Sequence, residues 1–137
     1  MIDYSREDVA ARVKELTGGE GVQTVFDSVG KDTFEGSLKS LRRRGVLVGC
    51  GTASGPFPPL DAFQLMLQGS VYFIRPAFVD FFADPAERAE MAGFWFDHLS
   101  NGRIRVEIGQ RYALDDCVRA HTQLESGKTI GSSIFVL

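Results

Sequence analysis

Three short β-branched runs alternate with helical segments between residues 22 and 76, and this alternation limits the possible folds more than any other feature of the chain. The runs are Val22 to Phe26, Val46 to Val48 and Val71 to Ile74, and turn residues follow each of them. Consecutive strands that are separated by helices pair in parallel, because a parallel connection needs a long crossover. The sequence therefore predicts an α/β fold with a parallel sheet and flanking helices, in which Val22 to Phe26 is buried on both faces.

Capping signals predict two helices in the first third of the chain. Ser5 and Asp8 have the spacing of a capping box, and the helix that they begin is expected to end at the glycines 18–19. Asp32 and Glu35 are expected to cap a second helix. The apolar residues expected to face the core are Val9, Val13, Leu16, Phe34, Leu38 and Leu41, and the basic residues expected at the end of the second helix are Arg42, Arg43 and Arg44.

Three more helices and two more strands are predicted after residue 56. Asp84, Pro85 and Glu87 have the order of an N-cap, a first-turn proline and a capping-box partner, so a long helix should follow. Ile104 to Ile108 and Ser132 to Leu137 have the pattern of strands. The apolar residues expected in the core on the three helices are Leu60, Phe63, Leu67, Met91, Phe94, Trp95, Leu99, Val118 and Leu124.

The composition fits one ordinary globular domain of 137 residues and excludes several classes of partner. A net charge of −3 and an isoelectric point near 5.3 provide no basic field for nucleic acid. No stretch approaches the ~18 consecutive apolar residues of a membrane span, and no signal peptide is recognisable, so a cytoplasmic location is expected. Cys50 and Cys117 have no metal or redox spacing and are expected to be reduced, partly buried thiols.

A glycine-rich loop from Gly49 to Gly55 follows the second predicted strand. In parallel α/β sheets ligands bind beyond the carboxyl ends of the strands, so this loop is the expected ligand-binding region. A dinucleotide-binding sheet also carries a G-x-G-x-x-G turn after its first strand, and no such turn precedes Val22. The pattern is therefore that of the second part of a dinucleotide-dependent enzyme.

The polar residues that could carry other chemistry have simpler structural interpretations. Asp27 is expected to be a turn or cap residue at the end of a strand rather than a catalytic acid. His98 and His121 are expected to be hydrogen-bonded structural residues rather than bases. The histidines and cysteines lack the spacing of a zinc site, and no G-x-S-x-G elbow follows a strand, which excludes a hydrolase of that type.

Short segments spread along the whole chain carry a family resemblance. In chain order they are Asp3-Tyr4, Glu15 to Gly19, Phe26 to Gly30, Asp32 to Glu35, Arg44-Gly45, Ala53 to Gly55, Gly69-Ser70, Arg75-Pro76, Ala120-His121 and Leu124-Glu125. Because of their order and spacing, the chain resembles, nearly end to end, the carboxyl-terminal half of the zinc-independent, zeta-crystallin-like quinone oxidoreductases of the medium-chain dehydrogenase/reductase superfamily.

This resemblance implies a partial Rossmann-like parallel sheet that lacks the first two strands and the GroES-like catalytic domain. Residues 1–137 would form a single partial dinucleotide-binding domain that starts inside the third strand, at Ile2 to Tyr4. The three β-branched runs would be the fourth, fifth and sixth strands in the order 3-2-1-4-5-6. Segments within residues 103–137 would return to the absent catalytic domain.

The resemblance also implies a reaction for the intact enzyme. It would transfer a hydride from NADPH, with NADH as the alternative, to a quinone or another conjugated carbonyl. This chain alone is expected to be inactive, and a homodimer through strand 71–75 is expected. A noncatalytic truncated module retained for folding or dimerisation is the strongest alternative, and a nucleotide-binding domain of another family, such as a methyltransferase core, is a third interpretation.

Roles for individual residues follow from the same resemblance. Tyr4 would lie against the phosphates or ribose, and Ser28 and Val29 would border the adenosine. Lys128 would bring positive charge near the cofactor, with a solvated lysine as the alternative. No catalytic residue is assigned, and no metal is expected. The residues expected beside the nicotinamide half are Gly51, Thr52, Ala53, Ser54, Pro76, Ala77 and Phe78, among which Thr52 and Ala53 replace an asparagine-serine pair typical of the family.

Overall fold

A computed structural model describes all of residues 1–137, which form two compact units, Met1–Asp80 and Phe81–Leu137. The first unit contains α1 (Val9–Leu16), β1 (Val22–Asp27), α2 (Phe34–Ser40), β2 (Leu41–Gly49), α3 (Ala62–Leu67) and β3 (Tyr72–Ile74), and the short helix α4 (Phe78–Phe81) lies at the boundary. The second unit contains α5 (Pro85–Ser100), β4 (Ile108–Ala113), a 3-10 turn (Leu114–Asp116), α6 (Cys117–Glu125) and β5 (Ser132–Val136). These elements confirm the predicted α/β class, while the prediction of a single partial domain stays a prediction.

The strands of the first unit form one parallel sheet in the order β1-β2-β3. Phe26 on β1 lies opposite Val48 on β2, and Leu47 on β2 lies opposite Phe73 on β3. Each connection between neighbouring strands runs through a helix, as a parallel arrangement requires. The order confirms that the three predicted runs are adjacent, and it leaves β1 and β3 as the edges of the sheet.

The core of the first unit lies where α2 packs on the sheet. The buried apolar cluster consists of Phe34, Leu38, Leu41, Leu47 and Val71. Leu47, in the middle of the central strand, is 0 % exposed. Phe34, Phe57 and Phe73 pack edge to face with ring centroids 5.5 to 5.9 Å apart, a geometry that aromatic quadrupoles favour. Burial of each large side chain contributes about 1.5–3 kcal/mol to stability, so this cluster is the main source of stability in the unit.

The first strand is less buried than the sequence predicts. Phe26 is 74 % exposed, and only Asp27 among the β1 residues is buried. The expectation that this strand is covered on both faces is therefore wrong. β1 has one neighbouring strand, and Phe26 faces an open cleft instead of a second layer.

The segment before α1 is a turn and not the expected strand at Ile2 to Tyr4. The carbonyl oxygen of Asp3 accepts hydrogen bonds from the amides of Arg6 and Glu7, at 3.0 and 2.9 Å, and the Asp3 carboxylate accepts from Ser5. These bonds fold the backbone back on itself, which an extended strand cannot do. The N-cap of α1 is Asp8 and not Ser5, because the Asp8 carboxylate accepts from the amide of Ala11 at 3.0 Å.

The basic run after α2 belongs to a strand and not to the end of a helix. α2 ends at Ser40, and β2 begins at Leu41, which pairs with Val22 on β1. Arg42 donates from Nε to the side chain of Gln23 across the strand pair at 2.6 Å. Strand pairing therefore replaces the predicted last turn of the helix. The N-cap residue of α2 is Thr33 instead of Asp32.

Several helical residues that were expected in the core are exposed. On α1 the buried residue is Ala10. Leu65 in α3 and Leu60 just before it are half-buried and pack against the core cluster. A helix buries only the face that meets another element, and most of the predicted apolar faces of these helices meet none closely. The exposed residues are Leu16, Phe63, Leu67, Phe94, Trp95, Leu99, Val118 and Leu124, and Met91 is half-buried.

The two strands of the second unit pair with each other in parallel. Ile108 begins β4, so the predicted strand at Ile104 to Ile108 starts four residues too early. Tyr112 lies opposite Phe135 and the two rings pack at 6.2 Å, while α6 supplies the crossover. Both strands therefore have a hydrogen-bonded neighbour within the chain that the sequence did not indicate. Their expected return to another domain stays a prediction.

Cys50 and Cys117 are both free thiols, as expected, but both are exposed rather than partly buried. Cys50 follows the end of β2 and Cys117 begins α6, and both positions lie at the surface of the protein. None of the helices combines the length and the apolar composition that crossing a bilayer requires.

Candidate functional site

An open cleft of ≈ 840 Å³ lies within the first unit at the carboxyl end of β1. This volume falls in the range of about 300–1,000 Å³ that is usual for ligand sites. The parallel strands end at the same edge of the sheet, so the segments that follow them meet there. The cleft is lined by Tyr4, Ser5, Glu7, Val9, Val25, Phe26, Asp27, Ser28, Val29, Asp32, Thr33, Gly36, Ser37, Ala53 and Ser54.

The carboxylate of Asp27 organises the base of this cleft. Asp27 is the last residue of β1 and is 4 % exposed. Its Oδ1 accepts hydrogen bonds from the amides of Val29 and Gly30 at 2.9 and 3.0 Å. The Thr33 hydroxyl donates to both carboxylate oxygens at 2.8 and 2.9 Å, and the Ser37 hydroxyl donates to Oδ2 at 2.7 Å. One side chain therefore fixes both the turn after β1 and the start of α2.

These hydrogen bonds keep Asp27 ionised. Burial raises the pKa of the Asp27 carboxyl, but the bonds from its four donors lower it, and together they hold the pKa below its ordinary value. The structure thus supports the interpretation of Asp27 as a turn and cap residue. Every oxygen is occupied by an internal donor, which leaves the carboxylate without the freedom of a general base.

The loop after β2 is bonded to the turn after β1. The carbonyl oxygen of Asp27 accepts from the amides of Cys50 and Gly51 at 2.8 and 3.3 Å. The amide of Ala53 donates to the Ser28 carbonyl at 3.3 Å, and the amide of Ser54 donates to the Val29 carbonyl at 2.8 Å. These bonds join the two segments into one rim of the cleft.

Two glycines permit this close approach. A Cβ atom on Gly51 would collide with the carbonyl oxygen of Ser28. Gly30 has φ +94°, and a Cβ there would lie 2.5 Å from the carbonyl oxygen of Gly55. Any larger residue at these two positions would push the turn and the loop apart.

The hydroxyl groups around the rim differ in their availability to a ligand. The Ser54 hydroxyl donates to the Val29 carbonyl at 2.8 Å and accepts from the amide of Asp32 at 3.0 Å. Its single donor is therefore used inside the protein. Ser28 and Thr52 are exposed, and neither hydroxyl makes a hydrogen bond within the chain. These two hydroxyls can donate to a ligand, whereas Ser54 holds the loop in place.

The end of β3 is tied to the same edge of the sheet. The guanidinium of Arg75 donates from Nη1 to the carbonyl oxygen of Gly49 at 2.7 Å and lies 5.9 Å from the ring centroid of Phe57. Arg75 therefore fixes the segment that follows β3 beside the end of β2. This role was not recognised in the sequence, where Arg75 only marks the end of a strand.

The structure brings together some of the predicted site residues and separates others. Those that line the cleft are Tyr4, Ser28, Val29, Ala53 and Ser54. Gly51 and Thr52 belong to the loop that carries this rim, while Pro76, Ala77 and Phe78 follow β3 and are not part of the cleft lining. Lys128 is exposed in the second unit, between α6 and β5. The cofactor-binding roles of these residues stay predictions.

The cleft is acidic. Its lining contains the carboxylates of Glu7, Asp27 and Asp32 and no lysine or arginine. Sequence reasoning missed Glu7, Thr33 and Ser37 as lining residues. The spacing of Thr33 and Ser37 could have indicated that both face Asp27. Residues four apart share a helix face, and α2 starts shortly after the strand that ends in Asp27.

The second unit contains a small hollow of ≈ 90 Å³ that is lined partly by Tyr112 and His121, and this volume is small for an organic ligand. The His98 ring forms a 2.8 Å hydrogen bond with the Phe94 carbonyl and stacks on the Phe94 ring, which confirms its structural interpretation. His121 is exposed and forms no hydrogen bond, so that part of the expectation is wrong. No three His, Cys, Asp or Glu side chains are arranged to hold a metal ion.

Known proteins resemble this chain in sequence and fold. A family model described as zinc-binding dehydrogenase matches residues 1–134. A quinone oxidoreductase of Salmonella typhimurium is 44% identical over 99% of this chain and 42% of its own length, and a 2-haloacrylate reductase of Burkholderia is 35% identical over 98% and 41%. The crystal structure of Escherichia coli quinone oxidoreductase complexed with NADPH is 40% identical and superposes with a TM-score of 0.92 over 99% of this chain and 42% of that one.

The chain thus spans about two-fifths of the length of these relatives. The match runs through the turn after β1 and the loop after β2, which form the rim of the cleft. The resemblance inferred from the scattered short segments is confirmed. The chain belongs to the zinc-binding dehydrogenase family, and within the medium-chain dehydrogenase/reductase superfamily it corresponds to the carboxyl-terminal part of the quinone oxidoreductases.

Proposed function

We propose that this chain forms the carboxyl-terminal part of the cofactor-binding sheet of an NADPH-dependent oxidoreductase that transfers a hydride to a quinone or another conjugated carbonyl. One observation carries this proposal: the turn 28–30 and the loop 51–54 are bonded together as one rim at the carboxyl edge of a parallel sheet. Dinucleotides bind at that edge in sheets of this type.

The relatives support both the proposed hydride donor and the proposed class of hydride acceptor. The Escherichia coli relative forms a complex with NADPH, which favours NADPH over the alternative NADH. The Burkholderia relative is a 2-haloacrylate reductase, and an acrylate is a conjugated carboxylate. Quinones and acrylates share a carbon–carbon double bond conjugated with a carbonyl group. The acceptor class is therefore defined by this conjugation rather than by the quinone ring.

The residues of the rim fit such a cofactor. When bound, NADPH supplies the hydride, and the protein holds the nicotinamide in place and excludes water. Tyr4 would lie against the phosphates or ribose, and Ser28 and Val29 would border the adenosine. The free hydroxyl of Thr52 and the close backbone approach at Gly51 suit the nicotinamide half, and residues 76–78 would flank the carboxamide. The Ser54 hydroxyl already donates to the Val29 carbonyl, so its proposed contact with the cofactor would not use that donor.

Charge argues against tight cofactor binding by this chain alone. NADPH carries several phosphate charges, and the cleft lining provides carboxylates and no cation. The chain also contains no G-x-G-x-x-G turn, whose amides hold the pyrophosphate in sheets of this type. We retain Lys128 as a source of positive charge, with a solvated lysine as the alternative. The chain alone is therefore proposed to bind NADPH weakly and to be inactive.

A zinc ion does not fit the residues of this chain. Its histidines, cysteines and carboxylates form no cluster that could hold a metal. We infer that the rim acts on the cofactor by hydrogen bonding and shape, as in a zinc-independent reductase. We also propose a cytoplasmic location and no nucleic-acid or membrane partner, as expected from the sequence.

The edge strand β3 favours a homodimer. Tyr72 and Ile74 are exposed on β3, and β3 pairs with β2 on one side only. An uncharged edge of this kind pairs readily with another copy of itself. The same observation favours the second candidate function, a noncatalytic module that supports folding or dimerisation. Such a module would dimerise without any response to NADPH.

Calorimetry and enzyme assays test the proposal. Titration of the chain with NADPH and with NADH, followed by an assay with a generic quinone and with an acrylate, should show weak binding and no turnover. Micromolar affinity together with repeated turnover would show that the chain alone is an enzyme. NADPH-dependent changes in the amide signals of residues 28–30 and 51–54 separate the cofactor site from the noncatalytic module, which predicts no change.

A further inference from the structure

We propose that Asp27 is the positioning residue of the cleft and that its charge holds the turn 28–30 and the loop 51–54 in the arrangement that a cofactor meets. This proposal rests on the cofactor role proposed above for the same rim. Asp27 contacts no ligand itself, because both carboxylate oxygens are occupied by groups of the protein. It acts through the backbone of its neighbours.

The side chain fixes the turn. The amides of Val29 and Gly30 point at Oδ1. Backbone amides can only donate, so without an acceptor they would be left unsatisfied at a partly buried position. The same carboxylate anchors the turn to α2 through Thr33 and Ser37. The turn therefore has one conformation as long as the carboxylate is present and ionised.

The main chain of the same residue fixes the loop. The Asp27 carbonyl oxygen accepts from the amides of Cys50 and Gly51, and the Cys50 thiol lies 3.4 Å from it. The orientation of this carbonyl depends on the backbone that the carboxylate anchors. Asp27 therefore links both segments of the rim, because it accepts hydrogen bonds from amides of each.

The charge of Asp27 matters beyond its shape. Hydrogen bonds to an ionised acceptor are shorter and roughly twice as strong as neutral ones. Asparagine at this position has the same shape but only one accepting oxygen, and its amide nitrogen would face the hydroxyl groups of Thr33 and Ser37. The other titratable groups that line the same cleft are Tyr4, Glu7 and Asp32, and the Cys50 thiol lies at the Asp27 carbonyl.

Amide hydrogen exchange of the chain carrying Asp27→Asn tests the proposal. We expect exchange at the amides of Val29, Gly30 and Ser54 to accelerate about tenfold more than exchange at the amide of Leu47 in the central strand. About tenfold is the factor that loss of one such hydrogen bond gives, and Leu47 reports only the loss of global stability. Unchanged rates in the rim would overturn the proposal. Equal acceleration at Leu47 would also overturn it, because Asp27 would then only stabilise the whole unit.

Matched variants keep the test decisive if Asp27→Asn does not fold. Thr33→Val removes one hydroxyl donor with little change of shape and should accelerate exchange in the turn, while Thr33→Ser keeps the donor and should restore the original rates. Equal rates in both Thr33 variants would overturn the proposal. Asp61→Asn, at the exposed N-cap of α3, should change exchange near Phe63 and leave the rim unaffected. NADPH titration of the unmodified chain tests the cofactor role separately, because these exchange rates are measured without any ligand.

Discussion

The two units of this chain differ in how they bury apolar side chains. The first unit buries a contiguous cluster from α2, β2 and the segment before β3. The second unit buries only Tyr112 and Ala120 among its apolar residues, and α5 buries none of its sixteen residues. Phe94 and Trp95 on α5 are 55 % and 54 % exposed. The same chain therefore contains a well-packed unit and a loosely packed one.

The difference between the two units shows that the capping residues that begin a helix and the packing that stabilises it are separate contributions. α5 has a complete start: the Asp84 carboxylate accepts from the amides of Ala86 and Glu87, and Pro85 occupies the first turn. Such local signals contribute about 1 kcal/mol each, whereas most helix stability in proteins comes from packing one face against a partner. α2 has no side-chain cap but buries Phe34 and Leu38. We therefore expect α2 to be the more stable helix.

The largest expected effect comes from comparing a leucine-to-alanine substitution in each of the two units. Leu47→Ala creates a cavity beside the aromatic residues of the first unit and should lower the free energy of unfolding by about 2–5 kcal/mol. Leu99→Ala removes a side chain that is already partly exposed and should cost less than about 1 kcal/mol. Chemical denaturation followed by near-ultraviolet circular dichroism measures both. Equal losses would show that α5 is packed as firmly as the core.

A smaller loss in the free energy of unfolding is expected from Asp27→Asn, and this loss should depend on pH. The folded-state pKa of Asp27 lies below its unfolded value of about 3.9, so the carboxylate stabilises the fold above that pH. This contribution is lost as pH falls through the folded pKa. Asp27→Asn should cost about 1–3 kcal/mol at neutral pH and flatten the decline of stability in acid.

Thermal unfolding from neutral pH down to about pH 2.5 measures that decline. Asp61→Asn is the control, since this exposed carboxylate caps α3 with a bond to Phe63 and lies outside the cleft. A variant at Asp27 that keeps the full acid dependence of the unmodified chain would show that other carboxylates cause it.

The next prediction concerns the proposed homodimer through the edge of β3. Phe73 packs on Phe34 and Phe57, so substituting it would also disturb the core. Tyr72→Lys changes an exposed neighbour instead and places like charges opposite each other across a dimer edge. We expect monomers by light scattering at micromolar concentration. A dimer that survives Tyr72→Lys would place the interface elsewhere.

The smallest expected effect concerns the other edge of the sheet. β1 from Val22 to Phe26 is uncharged and has no neighbour on one side. Unpaired edges promote pairing between chains. Amides 22–26 that point away from β2 should exchange more slowly as the protein concentration rises. Rates that are fast and independent of concentration would show that this edge tolerates exposure to water.

Much of the first unit can be predicted from the sequence, because its strands have dense β-branched residues and its turns have glycine and aspartate. The three strands, their parallel pairing and the loop Gly49 to Gly55 at the carboxyl edge follow from this pattern, and the order β1-β2-β3 follows from the family resemblance. The burial of individual side chains does not. The stripe of Met91, Phe94 and Leu99 predicts a buried helix face, but no local rule says whether a partner surface is present.

The polar network of the cleft was predicted only in part. Asp27 after a strand indicates a turn or cap, which the structure supports. Its bonds to Thr33 and Ser37 depend on how α2 is placed over the end of β1, and that placement comes from burial of Phe34 and Leu38. The internal use of the Ser54 hydroxyl likewise depends on the contact between two segments far apart in sequence.

The most direct test of the cofactor site is a titration with NADPH followed by amide signals in nuclear magnetic resonance. We expect the signals of residues 28–30 and 51–54 to shift together without saturating at micromolar NADPH. Gly51→Ala, whose Cβ would collide with the Ser28 carbonyl, should abolish these shifts, and Gly93→Ala, which meets nothing within 4 Å, should preserve them. Shifts that are absent from both segments, or that occur only in residues 81–137, would contradict the proposed cofactor site.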